Sequence, residues 1–149
     1  MGVSDSYDTV ARDYAAQFVD ELDRKPLDRD LLDGLARRLA GPVVDVGCGP
    51  GHIGARVGAT VGLDLSHEML RLAPFPLRVR GMRSLPFASR SMGGAIAFYC
   101  LIHLDTIDGA RDEVVHALTG AGFAIEYGVV REPYDQEVTT RLYVVATVC

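Results

Sequence analysis

Val43-Val44-Asp45-Val46-Gly47-Cys48-Gly49-Pro50-Gly51 is a buried-strand pattern that runs straight into three alternating glycines. Glycine tolerates positive φ and, having no Cβ, lets the backbone come close to a ligand. A second short apolar run, Thr60 to Asp64, ends in an acid. A carboxylate in that place can accept both hydroxyls of a ribose. The two stretches together predict a nucleotide-binding corner at the carboxyl ends of neighbouring strands.

Upstream of this corner, Tyr7, Val10, Ala11, Tyr14, Ala15, Phe18 and Leu22 fall on one face at helical spacing, with Ser4, Asp5 or Ser6 available as caps. Leu27, Leu31, Leu35 and Leu39 repeat the pattern after Pro26, and Gly41-Pro42 ends it. Two helices therefore precede the first strand. Downstream, short elements alternate: helix Gly51 to Val57, strand Thr60 to Asp64, helix Ser66 to Leu72, strand Leu77 to Arg80 and strand Ala95 to Cys100. Such alternation predicts parallel strands joined by helical crossovers. The last third holds a helix around Arg111 to Leu118, a Gly120/Gly122 break, and strands Phe123 to Val130 and Arg141 to Val148, read as an antiparallel pair. The charged, Pro133-containing stretch between them is expected to be a surface loop.

With 149 residues, 48% of them hydrophobic, the chain can bury one sizeable core, so a single domain is expected. Its parts are N-terminal helices over 1–41, a ligand-binding half over 42–104, and a closing helix and strand pair over 105–149. A formal net charge of −5 disfavours a nucleic-acid partner, whose recognition rests on clustered Lys and Arg, and favours a small molecule. Cys48, Cys100 and Cys149 sit in unrelated contexts and imply no disulfide framework, which suits a reducing cytoplasm. No apolar run approaches the roughly 20 residues of a membrane span, and the first residues carry no targeting pattern. His52, His67 and His116 are scattered without metal-ligand spacing, so no metal is expected.

Gly49-Pro50-Gly51-His52-Ile53-Gly54 also fits the G-x-G-x-x-G spacing of NAD-linked oxidoreductases, with Asp64 as the ribose acid. Asp45, inside an otherwise apolar strand, favours a cationic ligand instead, because a carboxylate there can hydrogen-bond an ammonium group. The leader YDTVARDYAAQF, the turn VVDVGCGPG, the segments GLDLSHEML and MRSLPF, the strand end FYCLIHL and the tail AGFAIEYGVVREPY…TRLYVVAT follow one another in a familiar order. In these pieces the chain resembles the class I S-adenosylmethionine (SAM) dependent methyltransferases of the small-molecule type.

The resemblance implies a Rossmann-like, mostly parallel α/β sheet flanked by helices, SAM as cofactor and a small-molecule methyl acceptor. It implies that Asp45 approaches the amino-acid end of SAM, with Gly47, Cys48, Gly49 and Gly51 passing beneath it. Cys48 doubles as a small buried hydrophobe. Asp64 would hold the ribose hydroxyls, Leu65 and Met69 would pack on the adenine side, and Met82 or Arg83 would meet the adenine edge. Tyr99 would lie beneath the methionine moiety, while Tyr7 and Tyr14 would close the site and, with His103, serve as candidates for moving or orienting the acceptor proton. Core packing competes as an explanation for the two tyrosines, and a satisfied side chain for His103.

Three family features are missing. By Glu113 the chain is already in the helix leading to its closing strands, which leaves no room for a crossover and a fifth parallel strand. The helix after Gly51 is trimmed, and Arg80-Gly81 stands where the family commonly has an acid before the methionine. The expected strand order is 3-2-1-4-7-6, with Arg141 to Val148 taking the vacant place beside the fourth strand. A bare edge would otherwise invite pairing between copies. These losses also admit a SAM-binding fold that has lost transfer activity.

Overall fold

The computed structural model describes residues 3–80, 87–88, 90–99, 107–120, 122–135, 137–138 and 140–148. They form two compact units, residues 1–100 and 101–149.

In the first unit, β1 (Val43–Val46) and β2 (Val61–Asp64) are buried along nearly their whole length, as strands covered on both faces must be. They pair in parallel, β3 (Leu77–Arg80) adds beyond β2, and β4 (Gly94–Ile96) adds on the other side of β1, giving the order β3-β2-β1-β4. The period of two along β1 splits the core. Val43 joins Leu22, Leu32, Ile53, Val57, Leu70, Phe75 and Ile96 in one cluster, while Val44 joins Val61 and Leu63 in another. By the same alternation Asp45 shares the side of Val43.

Helix α1 (Val3–Phe18) packs on α4 (His67–Leu72). The contact is pinned by Asp8, whose Oδ1 accepts from Ser66 Oγ at 2.5 Å and from the Glu68 amide at 3.1 Å. Ser66 is itself the N-cap of α4, accepting from the Met69 amide at 3.1 Å. The apolar face read through Leu22 belongs to two elements: α1 ends at Phe18, and Leu22 lies in a 3-10 turn, Glu21–Arg24. Helix α2 (Pro26–Arg38) starts on a proline at its first position, where the missing N–H costs nothing, and carries Arg37 and Arg38 in its last turn. Helix α3 (His52–Val57) follows the glycine turn.

Phe75 fills the space beneath this turn because three residues above it lack a Cβ. A methyl group at Gly51 would come 3.1 Å from the ring, at Gly54 2.7 Å, and at Gly62 it would overlap the ring edge. Glycines spaced for a ligand by sequence therefore also serve an aromatic core residue. The expected strand Ala95 to Cys100 is shorter, ending at Ile96, because Tyr99 takes a positive φ of 59° and extended backbone cannot continue through it. Cys100 lies outside the described residues.

In the second unit, α5 (Ile107–Gly120) runs past the expected Leu118 and stops before Gly122, whose φ is 86°. Strands β5 (Phe123–Arg131) and β6 (Arg141–Val148) form the expected antiparallel pair, with an irregularity between Ile125 and Tyr127. The connection between them is more than a surface loop. Glu137, its side chain 5% exposed, accepts from Arg131 at 2.7 Å and from the Tyr134 amide at 3.1 Å, and it lies 3.4 Å from Arg141, so one carboxylate ties both strands to the turn.

The α/β class is as expected, and so are the first four places of the strand order. β5 and β6 pair with each other in the two-stranded sheet of the second unit. Among the described residues, no helix is long and apolar enough to cross a membrane.

Candidate functional site

The carboxyl ends of β1 and β4 open a cleft lined by Tyr14, Asp45, Gly47, Cys48, Gly49, Pro50, His52, Ile53, Phe98 and Tyr99. Its volume, about 40 Å³, suits an ammonium-sized group. Asp45 is 1% exposed; its Oδ2 lies against the backbone of Gly54 in α3, and among the described residues it makes no hydrogen bond of good geometry. Burial pushes the Asp45 carboxyl up to about 7 against an opposing backbone hydrogen bond from Gly54, and the nearby charge of Asp64 adds to the rise. A buried carboxylate without a well-placed donor can take one from a bound group. Burial, and after it the charges of Asp45 and Asp64, push the Cys48 thiol up, so it stays protonated and unreactive.

The turn itself is held open by backbone geometry. Gly47, Gly49 and Gly51 have φ of 70°, 52° and 87°. At Gly49 a Cβ would meet nothing within 4 Å, so the space above it is free. Gly51 differs, since a Cβ there would run into Pro74 at 2.6 Å; this glycine serves packing. Asp64 holds the turn from the next strand. Its Oδ2 accepts from the Gly49 amide and its Oδ1 from the Ser66 amide, both at 2.8 Å. Each carboxylate oxygen retains a second lone pair for a ligand hydroxyl.

Replacing Asp64 therefore tests two functions at once. Asp64→Asn is expected to keep one amide contact and weaken nucleoside binding by roughly tenfold, from the loss of charge-assisted bonds of about 1.5 to 3 kcal/mol. Asp64→Ala adds a loss of stability of about 1 to 3 kcal/mol by orphaning two amides. Calorimetric titration beside urea unfolding separates these effects, and unchanged affinity in Asp64→Asn would remove the ribose role.

The far wall is built by the leader. Tyr99 donates to Asp28 Oδ2, and Lys25 Nζ sits 4.5 Å from the centre of the Tyr99 ring. Lys25 also pairs with buried Glu21 at 2.6 Å. Glu21 Oε1 lies 2.6 Å from His52 Nε2. Burial disfavours the Glu21 charge, but the bonds from His52 and Lys25 outweigh it and hold the carboxyl below its ordinary value. Tyr7 stacks edge-on against Tyr14, their centres 6.4 Å apart, and Tyr14 packs on Phe18 at 4.4 Å. Of the residues singled out from sequence, Tyr14, Asp45, Gly47, Cys48, Gly49 and Tyr99 meet around one cleft. Tyr7 stands behind Tyr14, Leu65 is exposed, and Met69 is buried. Met82, Arg83 and His103 lie outside the described residues.

Residues 44–125, more than half of the chain, match the family described as methyltransferase domain. The chain belongs to that family. An uncharacterized protein of Methanocaldococcus jannaschii is 29% identical over 133 residues, which is 84% of this chain and 51% of the relative. This methyltransferase domain thus spans about half the length of that relative. Two solved structures share its fold. A SAM-dependent methyltransferase of Thermotoga maritima aligns at a TM-score of 0.62 and 14% identity, over 97% of this chain and 93% of its own. The magnesium protoporphyrin IX methyltransferase of Synechocystis PCC 6803, solved with bound SAM, aligns at 0.65 and 15% identity, over 99% and 95%.

Sequence reading missed Glu21, Asp28, His52 and Phe98 at this site. His52 carried a usable signal, since it directly follows the glycine turn. Glu21 and Asp28 carried none, because charged residues of amphipathic helices are ordinarily solvated.

Proposed function

We propose that the chain binds SAM at the Asp45 cleft and transfers its methyl group to a small-molecule acceptor. The observation that carries this is the unmatched Asp45 Oδ2 beside a glycine turn whose upper side is open at Gly49. A ligand with a cationic amino group and a ribose matches both ends, with Asp45 taking the ammonium and Asp64 the hydroxyls. NAD offers the ribose but no ammonium. The nucleoside lies along Gly49 and Asp64, outside the small cleft, with Leu65 on the adenine side.

When bound, SAM supplies a sulfonium-activated methyl group. The task of the chain is to align the acceptor and exclude water. Tyr14 and Tyr99 wall the amino-acid end, Tyr7 backs Tyr14, and Tyr14 or His103 orients or receives the acceptor proton.

Calorimetry with SAM, with S-adenosylhomocysteine and with NAD tests the ligand. The expected result is binding of the first two and not of NAD; binding of NAD alone would reverse the assignment. Ligand stabilisation should be easier to detect than turnover, because the sequence carries the glycine turn, the acid at Asp64 and the leader helix but lacks the acceptor-side elements of the family. A saturating ligand at a hundred times its Kd adds about 2.7 kcal/mol of stability. Misplacement of an acceptor by an ångström can cost about a hundredfold in rate. Release of S-adenosylhomocysteine across a panel of small acceptors measures the turnover, and rapid release by the purified chain would overturn that order.

A further inference from the structure

Helix α4 has six residues, too few to hold its own first turn, so its start depends on acceptors from outside the helix. A serine at the N-cap is often matched by Glu or Gln three residues on, whose side chain returns to the N-cap amide; here that position is Met69. Aspartates from two other elements serve the turn instead. The Ser66 amide donates to Asp64 Oδ1 of β2 at 2.8 Å, and the Glu68 amide donates to Asp8 Oδ1 of α1 at 3.1 Å. Asp8 Oδ1 also accepts the hydroxyl hydrogen of Ser66, 58 positions away in sequence, which turns a lone pair of Ser66 Oγ toward the Met69 amide.

Ser66 is fully buried and stands between two carboxylates, giving its hydroxyl to Asp8 and its amide to Asp64. The other oxygen of Asp64 is held by the Gly49 amide, so the direction of this carboxylate follows from where Ser66 and Gly49 stand. Apolar packing alone would dock α1 on α4; it would not orient the Ser66 hydroxyl. We infer that Asp8 is a positioning residue for Asp64, holding Ser66 so that the Asp64 carboxylate keeps the orientation in which it receives the ribose hydroxyls. The inference rests on the SAM reading above. Helix α1 also brings Tyr14 to the cleft, so one element sets a wall at one end of the ligand and the acid at the other. Docking of α1 and binding of the nucleoside therefore favour one another.

The test titrates S-adenosylhomocysteine calorimetrically into the wild-type chain, Asp8→Ala, Asp8→Asn, Asp64→Asn and the double variant Asp8→Ala/Asp64→Asn, each under conditions where urea unfolding shows it folded. Asp8→Ala is expected to weaken binding by about fivefold or more, the lower end of what coupled sites show. Asp8→Asn keeps an oxygen that can accept from both Ser66 and Glu68, so it should stay within about twofold of wild type. In the Asp64→Asn background, Asp8→Ala should cost less than about twofold, because the group it positions has already lost its charge. A residue that only anchored α1 would lower stability and leave the affinity of the folded protein unchanged. That result, or an equal loss of affinity in both backgrounds, overturns the assignment. If Asp8→Ala does not fold, Ser66→Ala carries the same comparison, since it removes the hydroxyl bridge to Asp8 and leaves the Ser66 amide for Asp64. Wild-type protein that binds S-adenosylhomocysteine but is indifferent to both changes refutes this inference alone. Failure of the wild-type chain to bind removes the SAM reading with it.

Discussion

Asp45→Asn should make the ligand-free protein gain stability as pH rises from about 4 to about 8, relative to wild type, while it binds SAM far more weakly. In the folded chain the Asp45 carboxyl titrates at about 7, against 3.8 for the ordinary group. Below pH 4 both folded and unfolded chains hold the proton, and the residue is neutral to stability. Between about 4 and 7 the unfolded chain releases it first, so wild-type stability falls as pH rises, and above 7 the full penalty stands. A shift of about three units corresponds to roughly 4 kcal/mol. Asparagine does not titrate, so the stability difference between variant and wild type should move by about that amount across the window. Urea unfolding at both ends of the range measures it, and a pH-independent difference would contradict the buried, unmatched state of Asp45. Binding moves the other way. Loss of a charge-assisted bond to an ammonium group, worth about 1.5 to 3 kcal/mol, weakens SAM by one to two orders of magnitude. The two opposite effects together are the behaviour expected of an acid that serves a ligand.

Gly49→Val is expected to abolish measurable SAM binding, a loss beyond about a hundredfold. At φ 52° a β-branched residue is strongly disfavoured, at a cost of about 1 to 2 kcal/mol. Relaxing that strain would move the Gly49 amide away from Asp64 Oδ2, 2.8 Å distant, and so displace the carboxylate proposed to hold the ribose. The new side chain would meet no protein atom within 4 Å of its Cβ, which means it projects into the space left for the ligand. Gly49→Ala should fall between wild type and valine. Titration beside thermal unfolding checks the claim: a folded valine variant with wild-type affinity would place the ligand elsewhere.

Hydrophobic period made much of the first unit legible. The buried runs at Val43–Val46 and Val61–Asp64, broken by glycines and separated by short helical stretches, admit few arrangements other than a parallel sheet. Asp45 stood out because an acid in such a strand needs a reason. What stayed hidden depends on contacts between residues far apart in sequence. Glu21 reaches His52 across 31 positions, and Asp28 reaches Tyr99 across 71, with no local pattern announcing either. Glycines at 51, 54 and 62 were read as serving a ligand or a strand, but Phe75 needs all three. Asp64 was read as a ribose acid, yet it also fastens the turn through Gly49 and starts α4 through Ser66.

Isothermal titration of S-adenosylhomocysteine into the wild-type chain, in two buffers of different ionisation enthalpy at about pH 6 and again at about pH 8, addresses the Asp45 cleft directly. One site should be filled, with release of close to one proton near pH 6 and almost none near pH 8, because the ammonium group can be received only after Asp45 gives up the proton it holds below 7. Binding with no proton released near pH 6, or no binding at either pH, would contradict the account.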